Sequence, residues 1–325
     1  MAEKKFGTVI ERRDLSAILM LFRLSPEPGG KFPAYKAGQY IALRRDDCKL
    51  TKRIKEADGS LRYEPDIGPD GAQRIGQVAH SYSIASGPHE TAERGWLEFY
   101  VVLELDTQRR AGRLTESLFR LDAKGDNRMG YVDRIVGDFT LDSRAQGAKS
   151  VLMVGTGTGL APFVSMVKDL HHRGARDGVR YTLIHTNRTR EELAYHDELC
   201  AMEKAGRFDF AYVASVSRPS SHDSADAQLG LGRANNLLRS IVGMPLKEEE
   251  ALSEARAQGR DVAAATQALE RAVKPRLPAH LTRAALQARL APTDTVVLTC
   301  GNPSLMADIA AIAAAQKMRF EKEDW

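Results

Sequence analysis

The chain has 325 residues, 43% of them hydrophobic and 28% charged, so it is long enough for two domains with separate cores. Its 47 basic and 43 acidic residues leave a net charge of +4, which is too small and too evenly mixed for a nucleic-acid-binding protein. The 26 glycines and 13 prolines are an average share, which excludes collagen-like and low-complexity chains.

The three cysteines, Cys48, Cys200 and Cys300, lie far apart in the chain, and their number is odd. They form no disulfide framework and no zinc or plant-type iron–sulfur spacing, so we expect no metal centre. The uncharged stretch at residues 150–167 raises the question of a membrane span, but its glycines and its proline argue against one. The first residues contain no apolar signal core, and we therefore expect a protein of the reducing cytoplasm.

The first half of the chain shows a pattern of short strands separated by turns. Apolar runs at residues 16–24 and 38–45 are bounded by proline and glycine, and residues 97–105 partly alternate apolar and polar side chains. Residues 46–77 are polar, charged and rich in glycine and proline, which predicts a long surface excursion. We interpret this half as a small antiparallel β-barrel or sandwich.

The second half changes to alternating strands and helices. An apolar strand at residues 150–154 is followed by a glycine loop and an amphipathic segment that ends at His172. Further strands are predicted at residues 181–185, 208–216 and 295–300, and helices at residues 190–205 and 304–317. This alternation predicts an α/β domain in which helical crossovers join parallel strands. We place the domain boundary between residues 147 and 148.

Residues 244–292 interrupt this pattern with a stretch rich in alanine, glutamate and arginine. Apolar residues recur there at near-helical spacing, which predicts one or two surface helices inserted before the last strand. A solvated helical insertion is the favoured interpretation, and a surface that docks a partner is the alternative.

Three short strings carry chemistry. Gly-Thr-Gly-Thr-Gly at residues 155–159 stands between a strand and a helix, where glycines let the backbone approach a phosphate. His-Ser-Tyr-Ser-Ile-Ala-Ser at residues 80–86 offers hydroxyls and an aromatic ring to a polar cofactor. Cys-Gly-Asn-Pro at residues 300–303 ends a strand, where open α/β sheets bind ligands. Each string alone has an ordinary structural explanation: a tight turn, an edge strand and a buried, inert cysteine.

The order of these strings is more specific than any one of them. Together with Gly-Arg-Leu-Thr at residues 112–115 and the terminal Trp325, they resemble the ferredoxin–NADP reductase family, particularly the bacterial ferredoxin/flavodoxin reductases that end in an aromatic residue. The resemblance extends from Phe6 to Trp325 and is interrupted by the two insertions. It implies an FAD-binding antiparallel β-barrel domain at residues 1–147 and an NADP-binding α/β domain with a parallel sheet at residues 148–325.

The resemblance also implies which residues bind the cofactors. It assigns FAD to His80, Tyr82, Ser83, Tyr100, Val101, Val102, Arg113, Leu114, Thr115 and Trp325. It assigns NADP to Gly155, Thr156, Gly157, Thr158, Gly159, Arg188, Arg218, Arg233 and Gly301. Ser83 and Cys300 would orient the nicotinamide against flavin N5, and Trp325 would stack on the isoalloxazine ring. These three are the expected catalytic residues.

One position departs from the family pattern, because His80 stands where an arginine is usual. Arginine grips phosphate through a permanent, planar charge, whereas histidine is mostly neutral at pH 7.5. We therefore expect weaker or pH-dependent FAD retention, unless Arg113 or a residue of the first insertion compensates.

The choice between NADP and NAD rests on charge. Arg188, Arg218 and Arg233 match positions where the bacterial reductases place arginines that bind NADP, and a 2′-phosphate favours several guanidinium groups. Glu191 and Glu192 favour the opposite choice, since a carboxylate can hold the free ribose of NAD. We assign NADP.

The expected activity is electron exchange between NADP(H) and a one-electron carrier, ferredoxin or flavodoxin, by hydride transfer to flavin N5 and single-electron steps. The basic run Lys49, Lys52, Arg53 and Lys55 suits an acidic carrier, although a solvated basic face is equally expected. Two alternatives stay open: the reductase component of an oxygenase or a free flavin reductase, and a non-catalytic nucleotide-binding partner protein. We expect a monomer that binds neither nucleic acid nor membranes.

Overall fold

The computed structural model describes residues 3–56 and 60–323. The chain forms two compact units and passes from the first to the second between Thr140 and Leu141. The domain boundary placed between residues 147 and 148 falls within the second unit and stays a prediction.

The first unit is built mainly of strands. These are β1 (Lys4–Ser16), β2 (Leu19–Pro26), β3 (Tyr40–Lys49), β4 (Thr51–Lys55), β5 (Leu61–Pro65), β6 (Ile75–Ser83), β7 (Leu97–Val102) and β8 (Arg128–Val136), with the helices α1 (Pro88–Arg94) and α2 (Arg113–Phe119).

Six of these strands form one antiparallel sheet in the order β6-β3-β8-β1-β2-β7. The Ala85 N–H donates to the Glu98 carbonyl at 2.9 Å, which joins the chain after β6 to β7, the opposite edge of the sheet. Apolar side chains such as Phe22, Leu43 and Phe99 fill the core that the curved sheet encloses. The predicted antiparallel barrel is therefore confirmed as a half-barrel.

The first insertion is more ordered than the surface excursion predicted at residues 46–77. Strands β3 and β6 extend into it, and β4 and β5 pair with each other as a separate two-stranded hairpin. The predicted strand at residues 16–24 also differs, because β1 and β2 turn at residues 17–18 within it. Charged side chains in β4 and β5 obscured the hairpin. The turn was obscured because residues 17–18 are apolar and continue the apolar run of β2.

The second unit alternates strands and helices, as predicted. Its strands are β9 (Ser150–Thr156), β10 (Arg180–Asn187), β11 (Phe210–Val216), β12 (Gly230–Leu231), β13 (Thr295–Cys300) and β14 (Arg319–Lys322). Its helices are α3 (Leu141–Arg144), α4 (Ala161–Arg173), α5 (His196–Ala205), α6 (Ser221–Ala225), α7 (Ala234–Val242), α8 (Lys247–Ala257), α9 (Ala263–Glu270), α10 (Arg283–Arg289) and α11 (Pro303–Ala315).

All six strands of the second unit are parallel, in the order β12-β11-β10-β9-β13-β14. The strand order reverses between β9 and β13, and open α/β sheets bind ligands at the carboxyl ends of the strands that flank such a reversal. The predicted α/β fold with a parallel sheet is confirmed.

Two helix predictions need correction. The helix predicted over residues 190–205 begins only at His196, because Tyr195 has a left-handed φ of 62° and the residues before it form turns. Residues 244–292 form α8, α9 and α10 rather than one or two helices.

The stretch at residues 150–167 divides into β9, a 3₁₀ turn and the start of α4. Among the described residues, every helix is too short or too polar to cross a membrane.

A buried ion pair joins the second insertion to the rest of its unit. Arg239 on α7 is 1% exposed and donates to both carboxylate oxygens of Asp308 on α11, at 2.5 and 2.9 Å. The terminal nitrogen that donates to Asp308 also donates to the Glu250 carboxylate on α8, at 2.8 Å. Burial alone would raise the pKa of the Asp308 carboxyl, but its contact with Arg239 lowers it.

Removing the carboxylate of this pair should destabilise the second unit. We expect Asp308→Ala to lower the free energy of unfolding by about 3 kcal/mol, because the Arg239 guanidinium then stays buried with only Glu250 as its counter-charge. The double variant Arg239→Met/Asp308→Leu should regain most of this loss, since apolar side chains need no counter-charge. Urea unfolding measures both.

The control is Arg173→Ala, which removes the exposed ion pair with Asp169. Such a surface pair contributes at most about 1 kcal/mol. An Asp308→Ala variant as stable as this control would contradict the prediction.

Candidate functional site

The glycine loop and the Cys-Gly-Asn-Pro string meet at the reversal of strand order. A 3₁₀ turn at Gly157–Leu160 leads from β9 directly into α4. A Cβ atom at Gly159 would overlap the carbonyl oxygen of Cys300, and a Cβ at Gly301 would overlap the Thr156 hydroxyl. The two strings are therefore packed backbone against backbone, which only glycine permits.

Two buried hydroxyls at this edge of the sheet lack partners. Thr156 ends β9 and Thr186 lies beside it on β10, and neither Oγ1 atom has a hydrogen-bond partner among the described residues. Buried polar atoms are nearly always satisfied, so an unsatisfied pair at a ligand-binding edge indicates a polar ligand. The hydroxyls and the adjacent loop fit the phosphates and ribose of a dinucleotide.

Cys300 has a partner that the sequence did not reveal. Its thiol donates to the Glu323 carboxylate at 3.2 Å, and both side chains are buried. The Glu323 N–H donates to the Thr299 carbonyl, because β14 runs parallel to β13 and carries the chain back to this edge. Twenty-three positions separate Cys300 from Glu323, so only the strand pairing brings them together.

The three predicted NADP arginines differ in their surroundings. Arg188 donates through Nε to Glu192 at 2.8 Å and through a terminal nitrogen to the second oxygen of the same carboxylate. Arg233 lies 3.9 Å from Glu248 of the second insertion. Arg218 follows β11, its N–H donates to the Arg188 carbonyl, and its side chain has no ion pair with the residues described.

Glu192 therefore faces a guanidinium rather than an open ribose position. It is 4% exposed and holds Arg188 from both carboxylate oxygens. This pairing weakens the case that Glu192 selects NAD, and it leaves Arg218 as the guanidinium with the most free donors.

In the first unit, the predicted flavin residues lie on β6, β7 and α2. Ser83 is buried at the end of β6, and desolvation raises the pKa of the half-buried Tyr82 hydroxyl beside it. Val101 and Leu114 point into the barrel core, so only their backbone groups are available to a ligand. Trp325 lies outside the described residues.

The turn before α2 is held by Glu104. The Gly112 N–H donates to the Glu104 carbonyl at 2.8 Å, and the Glu104 N–H donates to the Thr115 hydroxyl at 3.2 Å. Thr115 is thus engaged in shaping the turn. A Cβ at Gly112 would come within 2.9 Å of the Glu104 carboxylate, which places that carboxylate directly beside the turn.

His80 is surrounded by charged groups. Partial burial and the Arg113 guanidinium lower the pKa of its imidazole below the ordinary value, Glu104 raises it, and Arg53 of the first insertion lowers it further. His80 is therefore neutral at neutral pH. The two guanidinium groups outnumber the single carboxylate, and this donor set fits a dinucleotide pyrophosphate.

Adding one methyl group at Gly159 should force the loop and the end of β13 apart. We expect Gly159→Ala to lower the free energy of unfolding by about 1–3 kcal/mol, because the obstructing Cys300 carbonyl is backbone and cannot rotate away. Thermal unfolding measures the loss. Thr158→Ala, which adds no atoms at the neighbouring position, is the control and should lose less. Equal stability of Gly159→Ala and the wild type would show that the close contact is absent.

Comparisons with known proteins agree with this arrangement. Residues 153–236 match the family described as oxidoreductase NAD-binding domain. The chain is 26% identical over 218 residues to a flavodoxin/ferredoxin–NADP reductase of Buchnera aphidicola subsp. Schizaphis graminum, which covers 66% of this chain and 72% of that one. It is also 30% identical over 172 residues to a flavohemoprotein of Bordetella pertussis, which covers 53% of this chain and 34% of that protein.

A solved structure shares the fold. It is a ferredoxin NADP+ reductase of Neisseria gonorrhoeae with bound FAD and NADP, and it aligns over 99% of both chains with a TM-score of 0.55 at 19% identity. The chain therefore shares the fold of this reductase, with an antiparallel half-barrel and a parallel sheet that has a glycine loop at its reversal, and its residues 153–236 match an oxidoreductase NAD-binding domain.

Proposed function

We propose that this oxidoreductase binds FAD and exchanges electrons between NADP(H) and a one-electron carrier, ferredoxin or flavodoxin. The observation that carries the proposal is the pair of unpartnered hydroxyls, Thr156 and Thr186, beside the glycine loop and Cys300. The Buchnera relative, named a flavodoxin/ferredoxin–NADP reductase, supports the choice of carrier.

The second unit would hold the nicotinamide nucleotide. Gly157, where a Cβ would meet open space, would leave room for its pyrophosphate, and Gly155, Thr158 and Gly159 would shape the loop around it. The N–H groups at the start of α4 would attract an anion there. Arg218 would bind the 2′-phosphate, with Arg188 and Arg233 adding positive charge nearby. Cys300, fixed by Glu323, would orient the nicotinamide, and Gly301 would keep the end of β13 packed against Thr156.

The first unit would hold FAD. Tyr82, Ser83 and the β7 residues Tyr100, Val101 and Val102 would contact the ring system, and Arg113, Leu114 and Thr115 the pyrophosphate. Bound flavin takes up two electrons as hydride and passes them on singly, and the protein supplies position and electrostatics. Ser83 and Trp325 would position the reacting rings, and no side chain has to act as an acid or base.

A second candidate is favoured by the flavohemoprotein relatives. Their similarity to this chain covers about a third of their length. The chain would then be the reductase component of an oxygenase or a free flavin reductase. Rapid reduction of free flavin, with no preference for ferredoxin or flavodoxin, would support this candidate over the first.

Arg218 should determine the preference for NADPH. In an anaerobic absorbance titration of FAD-reconstituted protein, NADPH should bleach the flavin at far lower concentration than NADH. Arg218→Ala should raise the NADPH concentration needed by about 10- to 100-fold, as expected for a lost charge-assisted hydrogen bond, and leave NADH unchanged. Arg173→Ala at the far end of α4 is the control.

Equal losses with NADPH and NADH would contradict the role of Arg218. Equal bleaching of the wild type by both nucleotides would remove the NADP assignment. A protein that stays colourless after reconstitution, yet binds NADPH, would favour the non-catalytic alternative.

His80 should make FAD binding depend on pH. Its pKa is lowered, so the ring is neutral at pH 8 and gains a positive charge only as the pH falls through that lowered value. Arg113, Arg53 and Glu104 are the charged groups that act on it. We expect FAD affinity to rise between pH 8 and pH 5.5, measured by quenching of flavin fluorescence.

Two variants test the cause. His80→Gln should remove the rise, and His80→Arg should bind FAD more tightly at every pH, because its charge is permanent. A wild-type affinity that is flat over this range, or a rise that survives in His80→Gln, would refute the role of His80.

A further inference from the structure

The β4–β5 hairpin carries Arg53, whose charge acts on His80 together with that of Arg113 at the start of α2. Arg53 and Tyr63 are directly opposite in the hairpin, so their side chains share one face. Tyr63 is 5% exposed, and its burial, together with the Glu104 carboxylate, raises the pKa of its hydroxyl. This face of the hairpin is therefore turned toward Glu104, while Lys52 lies on the other face.

Asp106 ties the hairpin to the segment before α2. Its side chain is buried and accepts hydrogen bonds from the Tyr63 N–H at 2.8 Å, from the Gln108 and Arg110 N–H groups, and from Nε of Arg110. Burial alone would raise the pKa of Asp106, but these donors lower it to about 2. The Thr107 N–H adds a bond to the Leu61 carbonyl at 3.3 Å.

The hairpin is thus fixed rather than loosely attached. The segment it binds runs from Glu104 to Gly112, and Gly112 starts the turn into α2, where Arg113 lies. These hydrogen bonds hold the hairpin and the turn together. The guanidinium groups of Arg53 and Arg113 both lower the pKa of His80. With Glu104 as the single acidic group among them, the cluster keeps a net charge of +1 when His80 is neutral.

We propose that the hairpin is a phosphate-binding arm, in which Arg53 binds the FAD pyrophosphate together with Arg113 and supplies the permanent charge that His80 lacks. This inference rests on the proposed FAD binding. Arg53 is exposed and forms no ion pair with the described residues, so its guanidinium is available to a phosphate. The first insertion would then add to the cofactor site.

The test compares FAD with riboflavin, which carries the same ring system but no phosphate and no adenosine. Dissociation constants are measured for the apoprotein by quenching of flavin fluorescence at low and high salt. Arg53→Gln should weaken FAD binding by about 10- to 100-fold, the effect of one lost charge-assisted bond, and change riboflavin binding little. The salt dependence of FAD binding should also become smaller.

Three further variants serve as controls. Lys52→Gln removes a cation from the opposite face and should bind FAD like the wild type. Arg53→Lys keeps the charge without the planar fork and should lie between the two. Asp106→Asn weakens the anchor of the arm and should lower FAD affinity more than riboflavin affinity. Circular dichroism confirms that each variant is folded.

Several outcomes would overturn the inference. They are an Arg53→Gln variant that binds FAD as the wild type does, equal losses for FAD and riboflavin, or an equal loss in Lys52→Gln. A wild-type protein that binds neither flavin would instead refute the proposed function, which separates the two failures.

Discussion

The close approach between the Gly159 backbone and the carbonyl of Cys300 is the constraint on which the second unit depends. It holds the glycine loop after β9 against the end of β13, at the one place where the strand order reverses. Parallel pairing of β9 with β13 sets the register, since Cys300 lies opposite Gly155. Any side chain at Gly159 would separate these ends, and with them the hydroxyls and the thiol that face the proposed nucleotide.

Charge compensation inside each unit decides which cations are left for a ligand. Arg239 is matched by Asp308, Arg188 by Glu192, and Arg110 by Asp106. Such pairs fix helices and loops, because a buried charge without a partner is costly. Arg218, Arg113 and Arg53 have no such ion pair among the described residues, and each stands beside a proposed phosphate position. Both insertions take part in these ion pairs. Helix α8 supplies Glu250 to Arg239, and the β4–β5 hairpin is bound by Asp106, the partner of Arg110.

Local sequence patterns were sufficient to predict the strands and helices that bury one or both of their faces. The strand predicted at residues 295–300 is β13 to the residue, and the helix after it differs by one or two positions. The hairpin at residues 51–65 was missed because its alternation of charged residues resembles a loop, and it is stabilised by contacts with Asp106 far along the chain. The late start of α5 depends on the left-handed backbone of Tyr195, which no propensity predicts.

The sequence by itself determined the fold class and the chemical strings, because apolar periodicity and glycine placement act within a few residues. Tyr82, Ser83, the glycine loop and Cys300 lie in these strings, and their roles, which the resemblance implies, stay predictions. Only the tertiary structure decided which groups face one another: Glu323 beside Cys300, Glu192 on Arg188, and Arg53 near His80. The reason is physical, since these contacts depend on strand register and on the docking of an insertion, and both are fixed by packing between residues distant in the chain.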